Sequence, residues 1–141
     1  MNERTDQDDR LATRLRAHGI APTRQRLAIA RVLLAAPQHL SADELLDRVR
    51  AAGGRVSKAT VYNTLAVFAR KGLVREVIVD PARVFYDSNT APHHHFYNVE
   101  TGELIDVEAP DLPLDRLPPP PEGTVAEGVD LVIRIRGAAR A

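Results

Sequence analysis

The 141-residue chain contains no cysteine and no tryptophan. Without thiols there is no disulfide, no cysteine nucleophile, no thiolate-held iron–sulfur cluster and no cysteine-based zinc site. Aromatic residues make up only 4%, too few for carbohydrate or cap recognition on stacked rings. No apolar run approaches the ~20 residues that a membrane helix needs, and the opening MNERTDQDDR is polar. Both point to a cytoplasmic protein with no membrane partner. Disorder is also disfavoured, because 44% hydrophobic against 27% charged residues is the composition of a folding chain. The length suits one domain, or two very small ones.

What is present is unevenly distributed. The formal net charge is zero, yet residues 1–9 hold one Arg against four acids, giving −3. Residues 10–75 hold 13 Lys and Arg against Asp43, Glu44 and Asp47, giving +10, and residues 76–141 hold five Arg against 12 acids, giving −7. A basic first half followed by an acidic second half implies two functional parts, the first facing a polyanion.

The basic half carries signals for four helices. Residues 9–18 form a short one stopped by Gly19, with 1–9 expected as a flexible tail. Thr23 caps a second that runs to about Ala36, before Pro37. Ser41 and Glu44 have capping-box spacing, and Leu40 and Leu45 are placed as a hydrophobic staple, so a third helix runs from Ser41 to Gly53-Gly54. The fourth spans Ser57 to Lys71, with Gly72 beyond it. The period then changes. Residues 73–79 and 83–87 read as a hairpin around Asp80-Pro81-Ala82, and 88–92 as a hinge. A second hairpin joins 96–99 to 104–107, residues 110–123 with six prolines cross in an extended form, and 129–135 make a last strand.

The expected fold is therefore α+β. A winged helix-turn-helix domain occupies 1–87, and a small second domain occupies 93–141. The second, with three short strands, buries too little by itself, so a homodimer is expected.

The fourth helix has the character of a recognition helix. Val61, Leu65 and Phe68 share one side, while Ala59, Thr60, Asn63 and Arg70 share the other, and Ser57, Lys58 and Tyr62 cluster near its start. Asn63 matches an adenine edge, and Ala59 or Thr60 a thymine methyl. Arg24, Arg26, Lys58 and Tyr62 suit phosphates, which position a protein on double-stranded DNA without specifying sequence.

His93-His94-His95 is a second feature. Alternation in an extended segment puts His93 and His95 on one face and His94 on the other. Asp87 closes one strand, Asp106 closes another, and His39 precedes the third helix. Such nitrogen and oxygen donors without sulfur suit Fe(II), Mn(II) or Zn(II).

TRQR at 23–26, HLSADEL at 39–45, ATVYNTL at 59–65, VFYD at 84–87, HHH at 93–95 and GELID at 102–106 together resemble the ferric uptake regulator family, in order and from about residue 10 to 136. Within it, HHHFYNVETGELIDVEAP, the PEG at 121–123 and the closing DLVIRIR are most similar to the iron response regulator branch. The resemblance implies a dimeric transcriptional regulator that binds operator DNA and controls iron homeostasis genes. It implies a winged-helix domain followed by a small α/β dimerisation domain. It maps one regulatory metal per subunit, iron or manganese with zinc possible in vitro, onto His39, Asp87, His93, His95 and Asp106. DNA contacts map onto the ATVYN segment, especially Tyr62 and Asn63, and onto Arg26.

Two parts of the family pattern are missing. Many members hold a structural zinc in two CxxC pairs; Asn98 and Thr101 stand where the first pair would be, so no such zinc forms and packing alone must hold the dimer. The cysteine-containing haem motif of some iron response regulators is absent too. The branch is known for a His-rich haem site, which keeps haem on His93–His95 open, with His94 assigned to haem, a second metal site or neither.

Two other functions fit the histidines. A metal-dependent hydrolase needs an open coordination position and a base, for which five ligands leave little room. A metal chaperone leaves the basic half without a purpose. The expectation is thus a non-enzymatic regulator.

Overall fold

Three glycines end three of the four helices in the same way. In a computed structural model, which describes residues 3–91, 93–107 and 116–138, α1 (Glu3–Ala17), α3 (Ala42–Ala51) and α4 (Lys58–Arg70) are followed by Gly19, Gly53 and Gly72 at positive φ. The next residue's amide then turns back onto the helix: Ile20 to Leu15, Gly54 to Val49, and Leu73 to Phe68. This pairing satisfies carbonyls that the helix leaves open.

The helix starts are equally local. Thr23 and Ser57 accept hydrogen bonds from the Arg26 and Thr60 amides. Ser41 and Glu44 form a complete capping box on α3. α2 (Arg24–Leu33) stops short of the expected Ala36. Its last carbonyls are taken up by Gln38, whose Nε2 donates to Val32 at 2.7 Å and Leu33 at 3.1 Å.

The expected tail at 1–9 is corrected by α1, which begins at Glu3. The reason lies outside the segment. Arg31 of α2 donates to both carboxylate oxygens of Asp8, at 2.6 and 3.1 Å, a bidentate geometry that holds the helix against α2. Glu3 and Asp6 also suit the positive end of the helix dipole.

Leu15, Ile29, Leu33, Leu45, Leu65 and Phe68 are fully buried and form the centre of one core. A three-stranded sheet completes it, in the order β1 (His39–Ser41), β3 (Arg83–Asp87), β2 (Arg75–Asp80), all antiparallel. β1 was not expected. It is three residues long and exists by pairing with β3. The first expected strand also starts two residues late, because Leu73 and Val74 enter the core instead. Ser88 prolongs the ladder: its amide donates to Gln38, and its hydroxyl accepts from the Gln38 amide at 3.0 Å.

The chain divides into two compact units, Met1–Thr90 and Ala91–Ala141. The second holds a sheet ordered β5 (Leu104–Asp106), β4 (His95–Asn98), β6 (Val132–Ile135), with β4–β5 antiparallel and β4–β6 parallel. Its register sets Phe96 opposite both Ile105 and Ile133, while His95, Tyr97 and Leu104 are buried. The last strand is shorter than expected, and residues 118–131 form neither helix nor strand. The first part of the expected proline-rich crossing and Pro92 of the expected hinge lie outside the described residues. Among the described residues this unit contains no α-helix.

Candidate nucleic-acid interface and metal centre

α4 is placed by its apolar side. Val61, Leu65 and Phe68 are fully buried, which leaves Lys58, Ala59, Tyr62, Asn63 and Arg70 exposed on the other side. The turn from α3 is fixed by Arg50, whose guanidinium donates to the Val56 carbonyl at 3.3 and 3.4 Å. Ser57 and Thr60 are engaged with one another: besides the cap bond, their hydroxyls lie 2.9 Å apart. Arg26 donates to the Ala21 carbonyl at 2.9 Å, which leaves four of its five N–H donors. Arg24 is exposed at the start of α2.

One residue beside α4 escaped the sequence reading. Asp43, from the first turn of α3, accepts from the Tyr62 hydroxyl at 3.3 Å and pairs with Lys58 at 3.7 Å. In the sequence it counted only as one of three acids in the basic half.

The wing sheet brings His39 and Asp87 together. They are Cα partners across β1–β3, and Arg75 faces Asp87 from β2. Asp87 is buried and accepts from the Asn89 amide at 2.8 Å. The His39 ring meets Phe85 edge-on at 6.2 Å.

The second unit gathers His93, His95 and Asp106. His95 and Asp106 are register partners on β4 and β5. The Asp106 Oδ1 atom lies 3.2 Å from His95 Nε2 and 3.5 Å from His93 Nε2. The three residues each offer a ligand atom within 4.8 Å of the others. Ligand atoms sharing one ion at bonds of about 2.1 Å stand roughly 3.0–3.4 Å apart; the 3.2 Å separation lies in that range and the 3.5 Å one just beyond it, so this donor set is close to what a small divalent cation needs. His93 is also oriented for it. Its Nδ1 lies 2.7 Å from the Ala91 carbonyl; donating there leaves the lone pair on Nε2, the arrangement usual for a metal-bound imidazole.

Comparison with known proteins decides the family. The sequence model described as "Ferric uptake regulator family" matches residues 17–116. The chain belongs to the ferric uptake regulator family. It is 36% identical over 98 residues to the peroxide-responsive repressor PerR of Staphylococcus aureus, covering 70% of this chain and 66% of that protein. The chain thus spans just under two thirds of that relative. The ferric uptake regulator of Pseudomonas aeruginosa, solved with manganese, superposes with a TM-score of 0.70 at 27% identity, covering 90% of this chain and 97% of that one. The regulator of Vibrio cholerae gives 0.72 at 22% identity, covering 89% and 98%, and supports the α+β fold.

Against the family pattern, two local solutions stand out. At Asn98 and Thr101, where many ferric uptake regulators carry their first cysteine pair, the turn is held by hydrogen bonds instead. Asn98 Oδ1 accepts from the Glu100 and Thr101 amides at 2.9 and 3.1 Å, and Thr101 Oγ1 accepts from Glu103 at 3.2 Å. Gly102 supplies the positive φ that closes the turn.

His94 has a backbone partner of its own. Its Nδ1 accepts from the Leu131 amide at 3.0 Å, so in the neutral ring Nε2 carries the proton and neither nitrogen offers a lone pair. His94 thus fastens the start of β4 to the entry to β6.

Proposed function

We propose that this chain is a metal-responsive, dimeric transcriptional regulator of the iron response regulator type, acting on operator DNA in the cytoplasm and without enzymatic activity. The observation that carries the reading is the convergence of two imidazole nitrogens on one carboxylate, in a chain whose other unit presents an exposed recognition helix. Asn63 is assigned to base reading, with Ala59 and Thr60 beside it. Arg24, Arg26, Lys58 and Tyr62 are assigned to phosphates, and Ser57 to the cap that orders them.

His39 and Asp87 are assigned to the same ion as His93, His95 and Asp106. Three imidazoles and two carboxylates without sulfur favour Fe(II) or Mn(II), and zinc is an in vitro substitute. Shared ligation would tie the DNA-binding unit to the second unit. Operator half-sites demand a set separation of recognition helices, so metal and DNA binding become reciprocal. With no structural zinc, dimerisation is assigned to the half-covered apolar row Ile105–Phe96–Ile133. Iron homeostasis genes are the proposed targets.

The test is a manganese or iron titration followed by binding to an AT-rich inverted repeat. Wild type should bind more tightly with metal. His95→Ala and His39→Ala should stay dimeric and lose most of that stimulation, and Asn63→Ala should lose roughly 1–3 kcal/mol on the specific site only. Unchanged metal affinity and DNA response in His39→Ala would overturn the shared ion, and equal Asn63→Ala losses on random DNA would remove it from base reading.

A further inference from the structure

Lys58 and Tyr62 stand one helical turn apart on α4, the ammonium 5.8 Å from the ring centroid. Both reach the same atom, Asp43 Oδ1. Asp43 belongs to α3, and that helix does not depend on it. The capping box is complete with Ser41 and Glu44, and Glu44 also supplies an acid to the first turn. Nor does the ion pair add much stability, since the side chains of Lys58 and Asp43 are 65% and 68% exposed. The carboxylate oxygen instead sits between an ammonium and a phenol O–H, the two donors that a DNA phosphate oxygen would use. It has the same sign of charge and accepts the same bonds.

We propose that Asp43 is an intrachain competitor for DNA phosphate at the Lys58–Tyr62 pair. The inference rests on the reading that these two residues meet the DNA backbone. Phosphate contacts supply nearly all sequence-independent affinity. Each binding event must then exchange a carboxylate for a phosphate, which weakens the hold on random DNA and leaves the base contacts of Asn63 untouched.

The experiment uses the full chain with manganese and a mixed-sequence duplex several helical turns long, read by fluorescence anisotropy over a salt series. Asp43→Asn should tighten binding about twofold to fivefold at low salt, the range expected of an exposed ion pair. The gain should shrink as salt rises. In a Lys58→Met/Tyr62→Phe background the same substitution should gain nothing. Asp43→Asn binding no tighter than wild type overturns the proposal. So does a gain that persists undiminished in the double background, because that is general charge repulsion. The underlying reading fails separately: if Lys58→Met/Tyr62→Phe binds as tightly as wild type, the pair does not touch DNA and the competitor falls with it. Thermal unfolding checks each variant, and Asp43→Ser removes the same charge should the Asn variant not fold.

Discussion

Gly54 lies in the turn between α3 and α4, and its neighbour sets a measurable cost. A Cβ added there would stand 2.6 Å from Val49 Cγ1 and 3.0 Å from the Val49 carbonyl oxygen. The first distance is far inside van der Waals contact, and Val49 is only 1% exposed, so the methyl cannot swing into solvent. Overpacking of this kind costs about 1–3 kcal/mol. Gly54 is not among the positive-φ glycines, so Ala also narrows the unfolded ensemble, which returns about 0.4–1 kcal/mol. The net expectation for Gly54→Ala is a loss of about 0.5–2 kcal/mol. Val49→Ala alone removes two buried methyl groups at about 0.8 kcal/mol each and leaves a small cavity, a loss of about 1.5–2.5 kcal/mol. The double variant removes the colliding atom and should cost little more than Val49→Ala. The two losses should therefore fall short of additivity by roughly 1 kcal/mol, measured by urea unfolding of wild type, both single variants and the double. Additivity within about 0.3–0.5 kcal/mol, the value for independent sites, would refute the argument, as would a Gly54→Ala variant more stable than wild type.

Three further outcomes follow from other contacts. The hydrogen bond from Arg31, with its charge, holds the Asp8 carboxyl below its ordinary value of 3.8. A depressed folded value means the stabilisation is present above that ordinary value and is lost as pH falls through the folded one; Asp8→Asn should flatten this part of an acid unfolding curve, and an unchanged curve would show that the pair does not anchor α1. Asn98→Ala removes the acceptor of two turn hydrogen bonds and should destabilise the second unit by about 1–2 kcal/mol, seen as faster amide exchange in β4 and β5 with exchange in the first unit unchanged. His94→Ala should speed exchange at the Leu131 amide while leaving manganese affinity near wild type; a large loss of affinity would make His94 a ligand after all.

Much of the architecture was legible because it is decided within a few residues. The capping box joins Ser41 to Glu44, and Gly19, Gly53 and Gly72 sit where a positive φ is needed to turn the chain off a helix. The two faces of α4 follow from helical periodicity alone, and Asp80-Pro81-Ala82 makes its turn through the Asp80 carboxylate accepting from the Ala82 amide at 2.8 Å. The alternation of His93 and His95 was equally visible, since extended backbone repeats every two residues.

What the sequence left open depends on partners distant along the chain. Glu3 and Asp6 are only a weak local signal for the start of α1, which Arg31 secures by holding Asp8. β1 has no strand pattern of its own and forms because β3 offers it a ladder, which is also what sets His39 against Asp87. The role of His94 was open in the sequence, and the Leu131 amide that its ring accepts from lies far along the chain, beyond any local pattern. Asp43 was only one of three acids in the basic half until α4 brought Lys58 and Tyr62 to it. Local hydrogen bonds and periodicity wrote the elements into the sequence, whereas the pairing of side chains across elements required the packed core to bring them within reach.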